Sequence, residues 1–130
     1  MTSRQFVTVD TSTTSWEELF NERIGRTIYR KKLFSDPETD AMISLVRYPA
    51  GVLNPSHTHP CGHGMYVLEG QLVTHRGVFG PGTFVWFPEG EVMKHGASAE
   101  SDVVVLFVTN KAFRIDYVDV QAKGGPAAPK

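Results

Sequence analysis

Histidine spacing constrains this 130-residue chain more than any other feature of its sequence. His57, His59 and His63 lie within seven residues, and His95 follows after two further β-like segments. Successive side chains of an extended strand point to opposite faces, so His57 and His59 project from the same face and can share one ion. We therefore expect this stretch to be a strand whose inward face carries metal ligands.

Turns between the β segments can direct the other two histidines toward the same centre. Residues 60–62 end the strand, because proline fixes its backbone and glycine permits unusual angles, and His63 can turn back. The run 83–87, followed by Pro88-Glu-Gly90, supplies a strand and a turn that can return His95. Neutral imidazole suits zinc, copper, iron and nickel. The predicted ligands are His57, His59, His63 and His95.

Two further residues near the ligands need an interpretation. His75 lies in the polar segment Thr74-His75-Arg76-Gly77, which is typical of a hairpin tip, and we interpret it as a solvated turn residue. Cys61 lies between the ligands, where it is either a thiolate ligand or a small residue that fills a loop. No residue is assigned a catalytic role.

Glycine and proline turns divide the chain into many short β segments, which indicates an all-β sandwich or closed barrel. Within one segment, alternation offers either Met65 and Val67 or Tyr66 and Leu68 to the interior. The predicted strands span residues 27–34, 41–48, 63–68, 71–75, 83–87, 103–110 and 113–118.

The start of the chain carries a helix signal. Ser15-Trp16-Glu17-Glu18 fits a capping box, with serine as the N-cap and glutamate three residues later. This pattern predicts a short helix through about Glu22 that ends near Gly25.

Three regions follow from these assignments. We expect an N-terminal segment with the short helix at 1–26, a barrel at 27–120 and a disordered tail at 121–130, which is rich in glycine, alanine and proline. The segment 27–34 is the candidate edge strand of the barrel.

Composition excludes several classes of function. At 130 residues with 41% hydrophobic content the chain can bury one core, and its single cysteine excludes an internal disulfide. The net charge is −1 with charges interspersed, so no basic face favours nucleic acid and no polybasic segment favours a membrane. The first residues lack an apolar secretory segment. We expect a cytoplasmic protein that binds neither nucleic acid nor membrane.

Two motifs resemble those of the cupin superfamily. The stretch from Gly51 to Gly70 reads G-x5-H-x-H-x3-H-x6-G, which resembles the first cupin motif with His63 where the family usually has glutamate. The stretch from Gly82 to His95 resembles the second motif, G-x5-P-x-G followed by histidine, with four residues before the histidine where the usual pattern has two. The chain is most similar to small single-domain bacterial cupins with a four-histidine metal site.

The resemblance implies a double-stranded β-helix, the jelly-roll barrel of cupins. It also implies one divalent transition-metal ion, namely manganese, iron or nickel, with zinc or copper as alternatives. The lead-in Arg47-Tyr48-Pro49-Ala50-Gly51 resembles the branch related to the anti-sigma factor cupin domain and the dihydroxyacetophenone dioxygenases. Because cupins often pair sheets or exchange terminal strands, a homodimer is expected.

An all-histidine site favours one chemistry and leaves two others open. Four neutral imidazoles do not offset the charge of the ion, and an octahedral ion keeps two open positions. This favours a dioxygenase-like oxidoreductase that acts on a small oxygen-chelating substrate such as a diketone, an enol or an aromatic ketone. The alternatives are a metal-assisted isomerase or lyase, and a non-enzymatic sensor that binds a small molecule or a metal.

Overall fold

The computed structural model describes residues 5–118. Within this range the chain forms a 3₁₀ turn at Thr11–Thr13 and short β-strands. The strands are β1 (Glu17–Asn21), β2 (Arg26–Ser35), β3 (Met42–Tyr48), β4 (Leu53–Thr58), β5 (His63–Glu69), β6 (Leu72–Thr74), β7 (Gly77–Phe79), β8 (Phe84–Phe87), β9 (Met93–Ala97), β10 (Val103–Thr109) and β11 (Asp116–Tyr117).

The strands form two antiparallel sheets that enclose one core. Six strands pair in the order β1-β2-β3-β10-β5-β8, and five pair in the order β11-β4-β9-β6-β7. Both sheets contribute to one buried apolar cluster, with Val46 and Val105 from the first and Leu72 and Met93 from the second. The predicted all-β jelly-roll fold is confirmed.

Alternation along β5 settles which of its side chains face inward. Met65 and Val67 are completely buried, whereas Tyr66 and Leu68 are 40% and 42% exposed. His63 begins the same strand and shares the inward face, because residues two apart lie on one side of a strand. The strand therefore carries a predicted ligand and core residues on one face, and exposed apolar residues on the other.

The prediction of a short N-terminal helix is wrong, because the central residues of that segment form β1. All five residues of β1 pair with β2, from Glu17 opposite Arg30 to Asn21 opposite Arg26. The carboxylate of Glu17 accepts three hydrogen bonds from the guanidinium of Arg30, the shortest at 2.9 Å. A capping box is a local signal, and a helix of about two turns gains less than a strand that pairs along its whole length.

The predicted edge strand is also wrong. Residues 27–34 lie in β2, which pairs with β1 on one side and with β3 on the other. Among the described strands, β1 and β8 lie at the two ends of this sheet. The disordered tail predicted at 121–130 lies outside the described residues.

Residues 5–118 contain no helix that is long and apolar enough to cross a membrane. The cytoplasmic location stays a prediction.

Close contact between β4 and β9 requires a glycine. Gly96 lies opposite Leu53, and a Cβ atom there would overlap the carbonyl oxygen of Val52 and lie 2.7 Å from the Cα of Leu53. These are backbone atoms, so a larger residue has to push the two strands apart.

We expect Gly96→Ala to lower the free energy of unfolding by about 1–3 kcal/mol, the usual cost of overpacking a core. Urea denaturation of the metal-free protein measures it. Gly80→Ala is the matched control, because its added Cβ meets the flexible side chain of Gln71 at 3.2 Å. Equal stability of the two variants would contradict the close approach of β4 and β9.

Candidate metal centre

A bulge in β4 places the first ligand. In the ladder with β9, Asn54 lies opposite His95 and His57 lies opposite Met93, and the register shifts between these two pairs. Pro55 lies inside this shift and has no N–H to donate to the ladder, which is why proline in a sheet is found at bulges. As a result Asn54 and His57, three residues apart, are both buried.

The structure brings three of the predicted ligands together. His57 is in β4, His59 follows the end of this strand, and His95 lies in the middle of β9. One ring nitrogen of each lies within 4.8 Å of those of the other two. All three side chains are at least 98% buried. This is a group of three buried imidazoles that could hold a metal ion.

Backbone carbonyl groups orient two of these rings. Nδ1 of His57 lies 2.6 Å from the carbonyl oxygen of Pro55, and Nδ1 of His59 lies 2.7 Å from that of Arg114. A carbonyl oxygen can only accept, so each Nδ1 carries the proton and each Nε2 keeps a lone pair. Metal-binding histidines are held in this way by an acceptor at the far nitrogen.

The third ring has a hydroxyl group as its outer partner. Nδ1 of His95 lies 3.3 Å from the hydroxyl of Tyr48, which is buried on β3. Burial raises the pKa of Tyr48, so the phenol stays protonated. When the hydroxyl accepts from Nδ1, the Nε2 of His95 also keeps its lone pair.

The inner nitrogen atoms fit a cation. Nε2 of His57 lies 3.1 Å from Nε2 of His95, so in the ligand tautomers two lone pairs face each other. Nε2 of His59 is buried and has no hydrogen-bond partner among residues 5–118. Burying unpaired polar atoms is costly, and a bound cation would satisfy all three.

Burial also keeps the rings in the form that binds metals. It lowers the pKa of His59 to about 4 and of His63 to about 3, and it lowers the pKa of His57 and His95. The charges of neighbouring histidines add to the lowering in each case. Neutral imidazoles are therefore present at neutral pH, which is the condition for metal binding.

The fourth predicted ligand, His63, borders this group. Its ring is completely buried and stacks on Phe87, with ring centroids 4.7 Å apart and planes at 18°. The ring centroid lies 4.7 Å from that of His59, but Nε2 lies 3.2 Å from the sulfur of Met93. The four-histidine ligand set stays a prediction, of which the structure groups three members.

The two further residues interpreted from the sequence lie outside the group. Cys61 is completely buried, and burial raises the pKa of its thiol, which favours the neutral form over a thiolate ligand. His75 lies in the β6–β7 turn, as predicted. Its Nε2 lies 2.7 Å from the carboxylate of Glu91, so the side chain is paired rather than simply solvated.

A cavity of about 450 Å³ opens onto His59 and His95. Its walls are mostly apolar, and a polar chain crosses one side of it. The amide of Asn21 donates to the phenol oxygen of Tyr117 at 2.7 Å, and Tyr117 donates to the amide oxygen of Asn54 at 2.8 Å. This combination of apolar walls and a few directional polar groups is typical of a small-molecule site. The apolar lining includes Leu19, Ile28, Val46, Phe107, Phe113 and Ile115.

Sequence reasoning did not identify the residues around the three imidazoles. Tyr48 lay in the lead-in to the first motif, and Asn54 lay three positions before His57, so both were near a recognised signal. Tyr117 is distant in sequence, and its place opposite His57 depends on the pairing of β11 with β4. Asn21 was predicted to lie in a helix, so its position in the lining of the cavity was not anticipated.

Comparison with known proteins agrees with this fold. Residues 4–114 match the model of the ChrR Cupin-like domain. The chain belongs to this cupin family. Among curated proteins, none matches the sequence.

Solved structures of low sequence identity share the fold. The polyketide cyclase RemF from Streptomyces resistomycificus is 19% identical, with a TM-score of 0.71 and coverage of 88% of this chain and 86% of that one. A putative dioxygenase from Nostoc punctiforme is 16% identical, with a TM-score of 0.72 and coverage of 84% and 40%. The complex of Rhodobacter sphaeroides SigE with the anti-sigma ChrR contains a chain that is 20% identical, with a TM-score of 0.62 and coverage of 77% of this chain and 51% of that one.

The three-imidazole group predicts how two histidine variants of this cupin differ. We expect the untagged protein to bind one Co²⁺ or Zn²⁺ per chain, and His57→Ala to weaken binding by at least about a hundredfold, because a nitrogen that contacts the ion is lost. His75→Ala is the control, since its ring pairs with Glu91 outside the group. Isothermal titration calorimetry measures both. Unchanged affinity in His57→Ala would refute the assignment of this group as the metal site.

Proposed function

We propose that this cupin is a metal-dependent, dioxygenase-like oxidoreductase that acts on a small oxygen-chelating organic molecule. The observation that supports it is the grouping of three neutral imidazoles, two of which line a largely apolar cavity of about 450 Å³. An ion held by His57, His59 and His95 supplies a Lewis acid and, when it is iron, manganese, nickel or copper, a redox centre.

The chain's own residues would bind the substrate, orient it and exclude water from the cavity. Phe107 and Phe113 pack edge to face, with ring centroids 5.3 Å apart, and both line the cavity beside His59. Such walls exclude water and favour an apolar or aromatic substrate body. The chain from Asn21 through Tyr117 to Asn54 offers fixed polar atoms to the oxygen atoms of a substrate.

Neutral ligands suit a substrate that binds as an anion. Histidine side chains add no negative charge, so the charge of a divalent ion stays available to an enolate or a similar chelating oxygen pair. A diketone, an enol or an aromatic ketone of modest size fits both this charge and the volume of the cavity. The putative dioxygenase from Nostoc punctiforme has the same fold, which supports this proposal.

A non-oxidative reaction is the second candidate. The polyketide cyclase RemF matches this chain over 86% of its own length, whereas the putative dioxygenase is matched over 40%. A metal-assisted isomerase, lyase or cyclase would use the same imidazoles and cavity without consuming oxygen. The complex containing the anti-sigma ChrR supports a third candidate, a sensor that binds a ligand without turnover.

Oxygen uptake separates these candidates. Protein loaded in turn with Fe²⁺, Mn²⁺, Ni²⁺ or Cu²⁺ is mixed with pentane-2,4-dione or a phenyl-substituted 1,3-diketone in an oxygen electrode. We expect one O₂ to be consumed per diketone cleaved with at least one ion, and His57→Ala to lose this activity. Equal turnover with and without oxygen would exclude the oxidoreductase in favour of the second candidate, and binding without turnover would favour the sensor.

We also propose that this cupin forms a homodimer through one exposed sheet face. Tyr66, Leu68, Phe84 and Trp86, here the aromatic patch, are 40–57% exposed on the outer face of β5 and β8. Tyr66 lies opposite Phe84, and the ring of Trp86 lies over Gly62, where a Cβ atom would overlap it. The patch leaves roughly 400 Å² of apolar surface open, a size at which patches often mark interaction sites.

The edge position of the aromatic patch favours a second copy of this chain as its occupant. β8 ends the six-stranded sheet within the described residues, so it offers backbone groups as well as apolar side chains. Two copies related by a two-fold axis bury the same residues and pair the same antiparallel edge, which covers both kinds of group at once.

Light scattering after size exclusion tests the dimer. We expect the wild-type protein to have twice the mass of the chain and Trp86→Lys to have the mass of one chain, because the lysine places a charge in the buried patch. Val78→Lys is the control, since Val78 is an exposed residue of the other sheet. A monomeric wild-type protein would refute the proposal.

A further inference from the structure

Tyr48 contacts a candidate ligand and also lines the cavity. It ends β3, and it shares the buried face of that strand with Val46 because residues two apart lie on one side. Its hydroxyl oxygen lies 3.3 Å from Nδ1 of His95, and the two rings meet edge to face with centroids 5.8 Å apart. Tyr48 and His95 both line the cavity of about 450 Å³. The phenol therefore belongs to the imidazole group and to the cavity at once.

The proton between Tyr48 and His95 can be placed in two ways. In the first, the hydroxyl donates to Nδ1 of His95, so that Nε2 carries the ring proton and donates to Nε2 of His57 at 3.1 Å. This arrangement satisfies both rings but leaves His95 no lone pair for an ion. In the second, Nδ1 of His95 donates to the phenol oxygen, and Nε2 keeps its lone pair for an ion.

The second arrangement, which a metal ligand requires, leaves the phenol proton without an acceptor. Tyr48 makes no other hydrogen bond within residues 5–118. Burial raises the pKa of Tyr48, so the phenol keeps the proton that it has to donate. A buried donor without an acceptor is costly. An acceptor atom of a molecule in the cavity removes this cost, because Tyr48 lines the cavity.

We propose that Tyr48 is the hydrogen-bond donor for an oxygen atom of the substrate, and that the ligand tautomer of His95 makes this donor available. The substrate class is an enolate or a similar anionic oxygen acceptor with an apolar body, because hydrogen bonds to charged acceptors are the stronger ones. Protons balance, since Nδ1 of His95 gains the proton that Nε2 gives up. This inference rests on the proposed metal-dependent function and names the group that recognises its substrate.

Ligand binding to the Zn²⁺-saturated protein tests the donor, because zinc has no redox chemistry and the ligand is not consumed. The ligands are 1-phenylbutane-1,3-dione and butylbenzene, which has the same carbon skeleton without the oxygen atoms. We expect Tyr48→Phe to weaken diketone binding by about tenfold or more and butylbenzene binding by less than about threefold. Equilibrium dialysis measures both affinities.

The matched control is Tyr29→Phe. Tyr29 is adjacent in β2 to the cavity residue Ile28 and therefore faces the other side of the sheet, where its ring lies 4.2 Å from the guanidinium carbon of Arg47. The variant removes a phenol oxygen outside the cavity, so we expect it to keep both affinities.

The absorbance of the bound diketone gives a readout that a merely structural role of Tyr48 would not move. A hydrogen bond to the charged form lowers the pKa of an acid. We therefore expect the enolate to persist to lower pH in the Zn²⁺-saturated wild type than in Tyr48→Phe. A phenol that only holds the ring of His95 would change the affinity for Zn²⁺ and leave the pKa of the bound diketone unchanged.

Nitrogen-15 NMR of the histidine rings tests the tautomer change. We expect His95 to carry its proton on Nε2 in the metal-free protein and on Nδ1 in the Zn²⁺-loaded protein, while His57 carries it on Nδ1 in both. A proton on Nε2 of His95 in the Zn²⁺-loaded protein would overturn the proposal.

The failure of this proposal is distinguishable from the failure of the proposed function. Equal diketone affinity and equal pKa of the bound diketone in Tyr48→Phe and the wild type, at saturating Zn²⁺, would overturn the role of Tyr48 and leave the metal-dependent function intact. Failure of the wild type to bind Zn²⁺ or Co²⁺ would overturn the metal-dependent function as well.

Discussion

The hydrogen bond from His57 to the carbonyl oxygen of Pro55 is the interaction on which the centre depends. It is only 2.6 Å long, and it places the proton on the outer nitrogen of the ring. The same proline interrupts the ladder between β4 and β9, so one residue supplies both the bulge that turns His57 inward and the acceptor that orients it. His95 then lies 3.1 Å away, nitrogen to nitrogen, because the bulged strand and its partner remain in register on either side.

The barrel supports this arrangement by surrounding the imidazoles mainly with aromatic rings and with one another. Phe113 stacks on His59 at 4.6 Å and Phe87 stacks on His63, while the carbonyl groups and the hydroxyl of Tyr48 bond only the outer Nδ1 atoms. Desolvation is the largest cause of the lowered pKa of each histidine in the set. A site that is built from neutral rings in a dry interior is costly without an ion, and this cost is the physical reason to regard it as a metal centre rather than as core packing.

Much of the fold and part of the centre were predictable from the sequence, for identifiable reasons. Most of the strands followed from short-range patterns, although β7 and β9 were not predicted. His57 and His59 were expected to share a face because alternation is a local property of the chain. The segment around β1 was predicted incorrectly, because Ser15 and Glu18 match a capping box while the pairing of Glu17 with Arg30 is long-range. The position of Met93 opposite His57 could not be predicted either, because it depends on the register of β9 against β4, which no local pattern encodes.

Two side-chain hydrogen bonds in the cavity connect β1 and β11, which are distant in sequence, to β4, the strand that carries His57. Asn21 belongs to β1, Tyr117 to β11 and Asn54 to β4, so three strands that are distant in sequence meet through two hydrogen bonds. β11 has only two residues, and it pairs with β4 directly opposite His57 and Thr58. So short a strand adds little stability of its own, and the phenol of Tyr117 must hold it in place through side-chain bonds. The wall of the cavity that contains Tyr117 is therefore held by few backbone pairs, and ligand-binding elements are often drawn from such parts of low local stability.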